Sequence, residues 1–515
     1  MSMPPLASGP EGPGALRPLL DTVLAALAEG GRARGGPLPH GGPGAVTARM
    51  RDAVGEPLPD EGDPDALRRL VRALAEGAAD PADPLCAAHL HCPPLAVATA
   101  ADLAASALNA SLDSWDQAPS ASALEELVTG ALAAEVYPGR GRPDCLVTTG
   151  GTESNHLALL LAREAHGAGL RVVLGANAHH SLARAAWLLG LPEPVVVPAP
   201  AGVLDPAALE AALTGLRGPL LVAATAGTTD AGLIDPLPRI AAHCRAHGAR
   251  LHIDAAYGGG LLFSDRYRER LAGLDAADTV TLDLHKLGWQ PVAAGLLAVR
   301  DARDLAALHQ RADYLNAADD TEAGLPDLLG RSPRTTRRAD VLKIAVTLKT
   351  LGRTGLGALV DRVCDRAATF ADLVAAHPAF ELYDRPTIST VLFRPAGAAD
   401  HAGATADAET ADAVIPAEAE TSAETSAEAS AEASAEASAE ASAEASADAQ
   451  TADDTVAAVR RTLLADGRAV LGRARLDGRL WLKATLLNPH TRPDDLAALL
   501  KLVEGHIPDD PGPRS

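Results

Sequence analysis

Four polar stretches in this chain of 515 residues carry side chains that could do chemistry, and each follows or closes an apolar run. Thr149-Gly150-Gly151-Thr152-Glu153-Ser154-Asn155 leads straight into a helical pattern. Glycines there let the backbone close on an anion, and Thr152 with a helix N-terminus supplies hydroxyl and N–H donors, although such a turn is also a common helix cap. Asn177-Ala178-His179-His180-Ser181 follows RVVLGA, where an imidazole either caps a helix or lies over a flat ring. HIDAAYGGG ends a third run and places Asp254 where an aspartate caps a helix or binds a metal. Asp283-Leu284-His285-Lys286 closes a fourth. A lysine in such a turn is ordinarily solvated surface. This chain, however, has only five lysines, at 286, 343, 349, 483 and 501, against 40 arginines. Lysine is scarce where arginine serves as the generic cation, so Lys286 reads as a reactive amine.

One cofactor uses all of these features. Pyridoxal phosphate needs a glycine-rich helix N-terminus for its phosphate and a carboxylate to keep its ring nitrogen protonated. It also needs a lysine amine for a Schiff base with its aldehyde. A histidine over the ring face is a fourth fitting piece.

The elements that must position these residues follow from pattern. Between about 144 and 300, the runs CLVTTG, RVVLGA, PLLVAAT, RLHIDAA, TVTLDL and GLLAVR alternate with helical stretches such as SNHLALLLAREAHG and LARAAWLLGL. Strand–helix alternation at this pitch predicts an α/β domain with a mainly parallel sheet, which binds ligands outside the carboxyl ends of its strands. Residues 1–80 are Pro/Gly-rich and then helical. The expected organisation is an N-terminal helical segment over 1–95, a large cofactor domain over 96–345, and a smaller C-terminal α+β domain from 346–395 plus 456–515. The intervening 396–455 is low complexity, with an AEAS repeat, 15 acidic residues and no Lys or Arg. Its glutamates stack like charges and offer no apolar stripe, so it reads as a disordered or solvated helical insertion, with an interaction tail for a basic partner as the alternative.

That segment carries most of the net charge of −22, leaving 52 acidic against 45 basic residues elsewhere. No basic stripe invites nucleic acid. No apolar run reaches the length of a membrane helix, and the start lacks a signal-peptide core. The five cysteines lack CxxC spacing, which suggests neither disulfides nor a metal site. A soluble cytoplasmic protein is expected, acting on a small molecule.

TTGGTESNHLALLLARE, NAHHSLARAAWLLGL, ATAGTTDAGLIDPL, HIDAAYGGG and DLHKLGWQPVAAGLLAVRD together resemble the group II pyridoxal-phosphate-dependent amino-acid decarboxylases. HLHCPPL with LNASLDSWDQAPSASALEE, ADYLNAADDTEAGLPDLLGRSPRTTRRADVLKIAVTLKTLGR and WLKATLLNPHTRPDDLAALL resemble the branch of L-2,4-diaminobutyrate decarboxylase and the siderophore-pathway lysine decarboxylases. The resemblance spans about 80–395 and 456–505. It implies the aspartate-aminotransferase-like fold type I and a homodimer with the site at the subunit interface. It also implies Lys286 as the Schiff-base lysine, Asp254 as partner of the ring nitrogen, and His179, rather than His180, over the ring. Gly151, Thr152 and His285 would hold phosphate, and Thr228 and Ala256 would line the cofactor. His89, His91, Trp115, Asp116 and Gln117 would form the substrate pocket.

The implied activity is decarboxylation of an L-amino acid to its amine and CO2, with L-2,4-diaminobutyrate ahead of lysine or ornithine, in polyamine or siderophore biosynthesis. An aromatic or acidic amino-acid decarboxylase, or an aldehyde-forming variant, is the alternative within the class; a silent cofactor-binding scaffold is the alternative outside it. Relatives carry a catalytic tyrosine on a loop before the Arg337-Arg338 pair, but 324–336 holds none, the nearest being Tyr314. That leaves His179, or a loop residue of a partner subunit, to return the proton. Gly288 and Ala339 stand where relatives carry bulky aromatics, which suggests a roomier pocket.

Overall fold

After three N-terminal helices, Gly12–Arg34, Gly42–Val54 and Ala66–Gly77, the chain forms a two-residue strand, β1 (Cys86–Ala87). The next seven strands build one sheet: β2 (Asp144–Thr148), β3 (Arg171–Gly175), β4 (Val195–Val197), β5 (Leu220–Thr225), β6 (Arg250–Ala255), β7 (Thr279–Asp283) and β8 (Gly295–Val299). The computed structural model describes residues 3–139, 141–310, 312, 314–396 and 450–507.

The sheet order is β2-β8-β7-β6-β5-β3-β4. Pairings among β3 to β7 are parallel, whereas β8 runs antiparallel to both neighbours. β5, β7 and β8 are buried along their whole length, as strands covered on both faces must be, and hence they read as unbroken apolar runs rather than alternating ones. All six expected strands form. The seventh, β4, is a short Val-Val-Val edge bracketed by prolines and escaped the pattern reading.

The remaining strands are β9 (Phe380–Leu382), β10 (Thr390–Pro395), β11 (Val470–Leu476) and β12 (Arg479–Thr485), in a second sheet ordered β1-β11-β12-β10-β9. Its core includes Phe370, Phe393, Val456, Leu482 and Leu499. The long helix Val341–Ala375 leads from one sheet to the other. β1 pairs in parallel with β11, Cys86 opposite Val470, so the N-terminal segment contributes a strand as well as helices. Most of the acidic repeat lies outside the described residues. Residues 450–455, assigned to it by composition, are helical and continuous with a helix to 465 in which Asp453 is buried.

Candidate active site

The strand order brings the polar ends of five strands to one edge of the large sheet. β2 runs into Gly150 and the helix Gly151–His166, β3 into His179, and β5 into Gly227. β6 carries Asp254 next to last, and Asp283 ends β7 with His285 and Lys286 in the turn beyond. These elements enclose a cavity of about 400 Å³ lined by Gly150, Gly151, Thr152, His179, Asp254, Ala256, His285 and Lys286, with Lys483 entering from β12. The size is that of an ordinary small-molecule site.

Close backbone approach shapes the cavity floor. A Cβ on Gly151 would stand 3.0 Å from the Cβ of Ala256 and 3.1 Å from Oδ2 of Asp283. A side chain on Gly295 would come within 2.4 Å of the Cα of Gly150. Glycine is therefore demanded on both sides of the turn at the start of the Gly151–His166 helix, leaving its N–H groups open to an anion.

The charged groups are held from behind. Asp254 is buried and accepts from the backbone N–H of Ala256 at 3.0 Å and from Nδ2 of Asn155 at 2.8 Å. The Lys286 ammonium pairs with Oδ2 of Asp283 at 3.0 Å, and His285 Nε2 lies 3.5 Å from the same oxygen. The other Asp283 oxygen is buried without a hydrogen-bond partner among the described residues. His179 caps the helix His180–Leu188 by accepting from the N–H of Ser181. Burial is the main cause holding His179 and His285 below the usual histidine range, partly offset by Asp254 at the first and Asp283 at the second.

Several expected positions fall elsewhere. Thr228 is buried, but its hydroxyl turns inward to accept from the N–H groups of Ala231 and Leu233; Gly227 and Thr229 face the cavity instead. His89 lines the cavity, whereas His91, Trp115, Asp116 and Gln117 are exposed and outside its lining. Tyr314 is 82% exposed and borders a separate groove. Gly288 does not enlarge the pocket, because a Cβ there would stand 2.6 Å from the carbonyl oxygen of Leu284. His180 does not line the cavity.

Pattern reading missed two groups. Lys483 is buried, donates to the carbonyl oxygen of Thr229 at 2.8 Å and is held below the usual lysine range chiefly by burial. Its one sequence signal is the scarcity of lysine. Asn155, four residues beyond Gly151 and fully buried, has its signal in the turn of helix that brings it under Asp254.

A buried carboxylate, a lysine at a strand end, a glycine-floored helix N-terminus and a histidine on the wall of one cavity form a set of groups that fits pyridoxal phosphate. The carboxylate would suit the basic nitrogen, the helix end the phosphate and the amine the aldehyde. Fold and site thus define a pyridoxal-phosphate enzyme of fold type I.

The sequence model of the pyridoxal-dependent decarboxylase conserved domain matches residues 49–396. L-2,4-diaminobutyrate decarboxylase of Rhizobium meliloti (strain 1021) is 38% identical over 434 residues, covering 82% of this chain and 77% of that protein. The enzyme of the same name from Acinetobacter baumannii is 34% identical over 60% of this chain and 66% of its own length. Among solved structures, the glutamate decarboxylase domain of diaminobutyrate-pyruvate transaminase and L-2,4-diaminobutyrate decarboxylase from Vibrio parahaemolyticus superposes with a TM-score of 0.76 at 27% identity, covering 98% of this chain and 97% of that one. The chain belongs to the pyridoxal-dependent decarboxylase family and is a carboxy-lyase. No described helix is long and apolar enough to cross a membrane, and no cluster of described His, Cys, Asp or Glu side chains could hold a metal ion.

Proposed function

We propose that the protein decarboxylates L-2,4-diaminobutyrate, with lysine or ornithine as lesser substrates, in the cavity that holds Lys286 and Asp254. The observation that carries the chemistry is the pairing of these two residues across one cavity at adjacent strand ends. The substrate class rests on the two similar enzymes of that name.

When bound, the cofactor supplies an electron sink for the pair released as CO2 departs. The protein's part is positional. Asp254, anchored by Ala256 and Asn155, would keep a proton on the ring nitrogen. Gly151, Thr152 and His285 would hold the phosphate, and Ala256 and His179, which also line the cavity, would contact the ring. Lys286, paired with Asp283, would supply the amine that holds the aldehyde. Lys483 offers a cation for a carboxylate, with His89 beside it at the cavity wall.

Lys483 also favours a second reading. A cation in the cavity suits an acidic side chain as well as an α-carboxylate, so an acidic substrate is the competing proposal. We also propose a homodimer, as the resemblance to this family implies, in which a second copy would carry its own groups to the site. The five unpaired cysteines, four of them buried, accord with a reducing cytoplasm.

The test is CO2 release by the cofactor-loaded protein across a panel of L-amino acids, with Lys286→Ala as control. Lysine-dependent release from diaminobutyrate supports the assignment. Release only from an aspartate- or glutamate-like substrate replaces it with the second reading, and release from none favours a silent scaffold.

A further inference from the structure

Asn155 makes four hydrogen bonds and has no exposed surface. Its Nδ2 donates to Oδ2 of Asp254 at 2.8 Å and to Oγ of Ser181 at 2.9 Å. Its Oδ1 accepts from Oγ1 of Thr281 at 2.8 Å and lies 3.0 Å from Nε2 of His252. The amide's orientation follows from chemistry. An ionised Asp254 only accepts, so the NH2 must face it, and the carbonyl must face Thr281 and His252.

Every proton along the chain is then placed. Asn155 donates to Ser181, so the single hydroxyl proton of Ser181 is free for its other neighbour, Nδ1 of His179, 2.8 Å away. The backbone N–H of Ser181 points at the same nitrogen from 3.3 Å. A nitrogen that accepts two hydrogen bonds carries no proton, so the ring proton of His179 is on Nε2, which has no hydrogen-bond partner among the described residues.

We propose that Asn155 is a positioning residue which, by donating to Asp254 and Ser181 together, fixes His179 as a neutral ring with Nε2–H facing the cavity. This rests on the reading that cofactor and substrate occupy that cavity. His179 thereby offers a hydrogen-bond donor to an oxygen there and not an acid, because a neutral imidazole does not give up its remaining proton at physiological pH. Return of the proton to the substrate's Cα falls to another group, in place of the role considered for His179 from the sequence.

The charges facing His179 are Asp254 from β6, Asp283 and Lys286 from the end of β7 and the turn beyond, and His180 on its own helix. The two carboxylates favour the imidazolium, Lys286 and His180 oppose it, and burial, the largest influence, also opposes it.

The experiment is 15N spectroscopy of the cofactor-loaded protein with ring-labelled histidine, His179 being assigned by the signals lost in His179→Gln. A neutral ring protonated on Nε2 is expected across the usual range of histidine titration. Ser181→Ala removes a bond to the neutral form and should raise the midpoint about tenfold in proton affinity, roughly one pH unit. Asn155→Asp should turn the Ser181 hydroxyl toward the new carboxylate and draw a proton onto Nδ1. Ser181→Ala leaves the partner of Asp254 in place, so it separates this effect from any loss of fold or disturbance of Asp254. An imidazolium or an Nδ1–H ring in the unaltered protein overturns the proposal, as does an Nε2–H ring that Ser181→Ala leaves unmoved. The spectra need no turnover, so absence of CO2 release would defeat the functional reading while leaving the tautomer decided on its own terms.

Discussion

Lys483 on β12 donates its ammonium to the carbonyl oxygen of Thr229, in the turn after β5, at 2.8 Å. The smaller sheet thus delivers a cation to a cavity whose other walls come mainly from the larger one. If that cation holds a substrate carboxylate, Lys483→Ala should raise KM about 10- to 100-fold, the worth of a hydrogen bond to a charged group at about 1.5–3 kcal/mol. Lys483→Arg should recover part of the loss. Steady-state kinetics of both variants, with cofactor saturation verified, check this; an unchanged KM would remove Lys483 from the substrate site.

Asp254→Asn preserves shape but cannot hold a proton on the ring nitrogen by charge. A fall in kcat of about 10²- to 10³-fold is expected, as for removal of one electrostatic catalytic group. KM should move far less. Single-turnover measurement on fully loaded protein distinguishes this from cofactor loss.

His252 is fully buried between Thr279 and Asn155, and burial pushes its pKa down to about 4. In the unfolded chain it would titrate near 6.5. The unfolded state therefore binds the extra proton between these values, and stability falls as pH drops from about 6.5 toward 4 by about 3 kcal/mol in total, then flattens for this group. The melting temperature of His252→Gln should lack that step. Equal slopes for the two proteins between pH 7 and 4 would contradict the assignment.

Gly260 packs under the lysine turn, where a Cβ would lie 2.3 Å from both the Cβ and the carbonyl oxygen of Leu287. Gly260→Ala should cost about 1–3 kcal/mol by overpacking and displace the neighbour of Lys286. Denaturant melts would report the first effect, and slower cofactor reconstitution the second.

Arg337 and Glu125 form a buried pair at 2.8 Å, with 2% and 6% of the two side chains exposed. Arg337→Leu strands the carboxylate and should destabilise the fold by about 3–5 kcal/mol. The double variant with Glu125→Leu should recover much of this, read by equilibrium unfolding.

The large sheet was legible because parallel strands buried on both faces leave apolar runs, and because the residues at their ends are too polar and glycine-rich to continue them. Lys286, Asp254 and Gly151 stood out for that reason, and the cavity contains all three. The orientation of Thr228 was not legible: its hydroxyl has a local competitor in the turn to Leu233, and no periodicity reveals which way a hydroxyl rotates. Gly288 misled because a missing side chain reads as space, whereas the Leu284 carbonyl already fills it. Lys483 and Asn155 depend on contacts from strands and helices far apart in sequence, which the motifs around them do not reveal.

The parallel pairing of Cys86–Ala87 with Val470–Leu471 bears on how this chain tolerates cutting. Among the described residues, Cys86 and Ala87 form the strand paired with the outer edge of the seven-residue β11, where Leu85 also accepts from the N–H of Val470. A chain truncated beyond residue 87 would bare the start of that edge, the N–H of Val470 included, as a template for another strand. Loss of the N-terminal region would therefore appear first as self-association and turbidity, rather than as a quiet loss of helices.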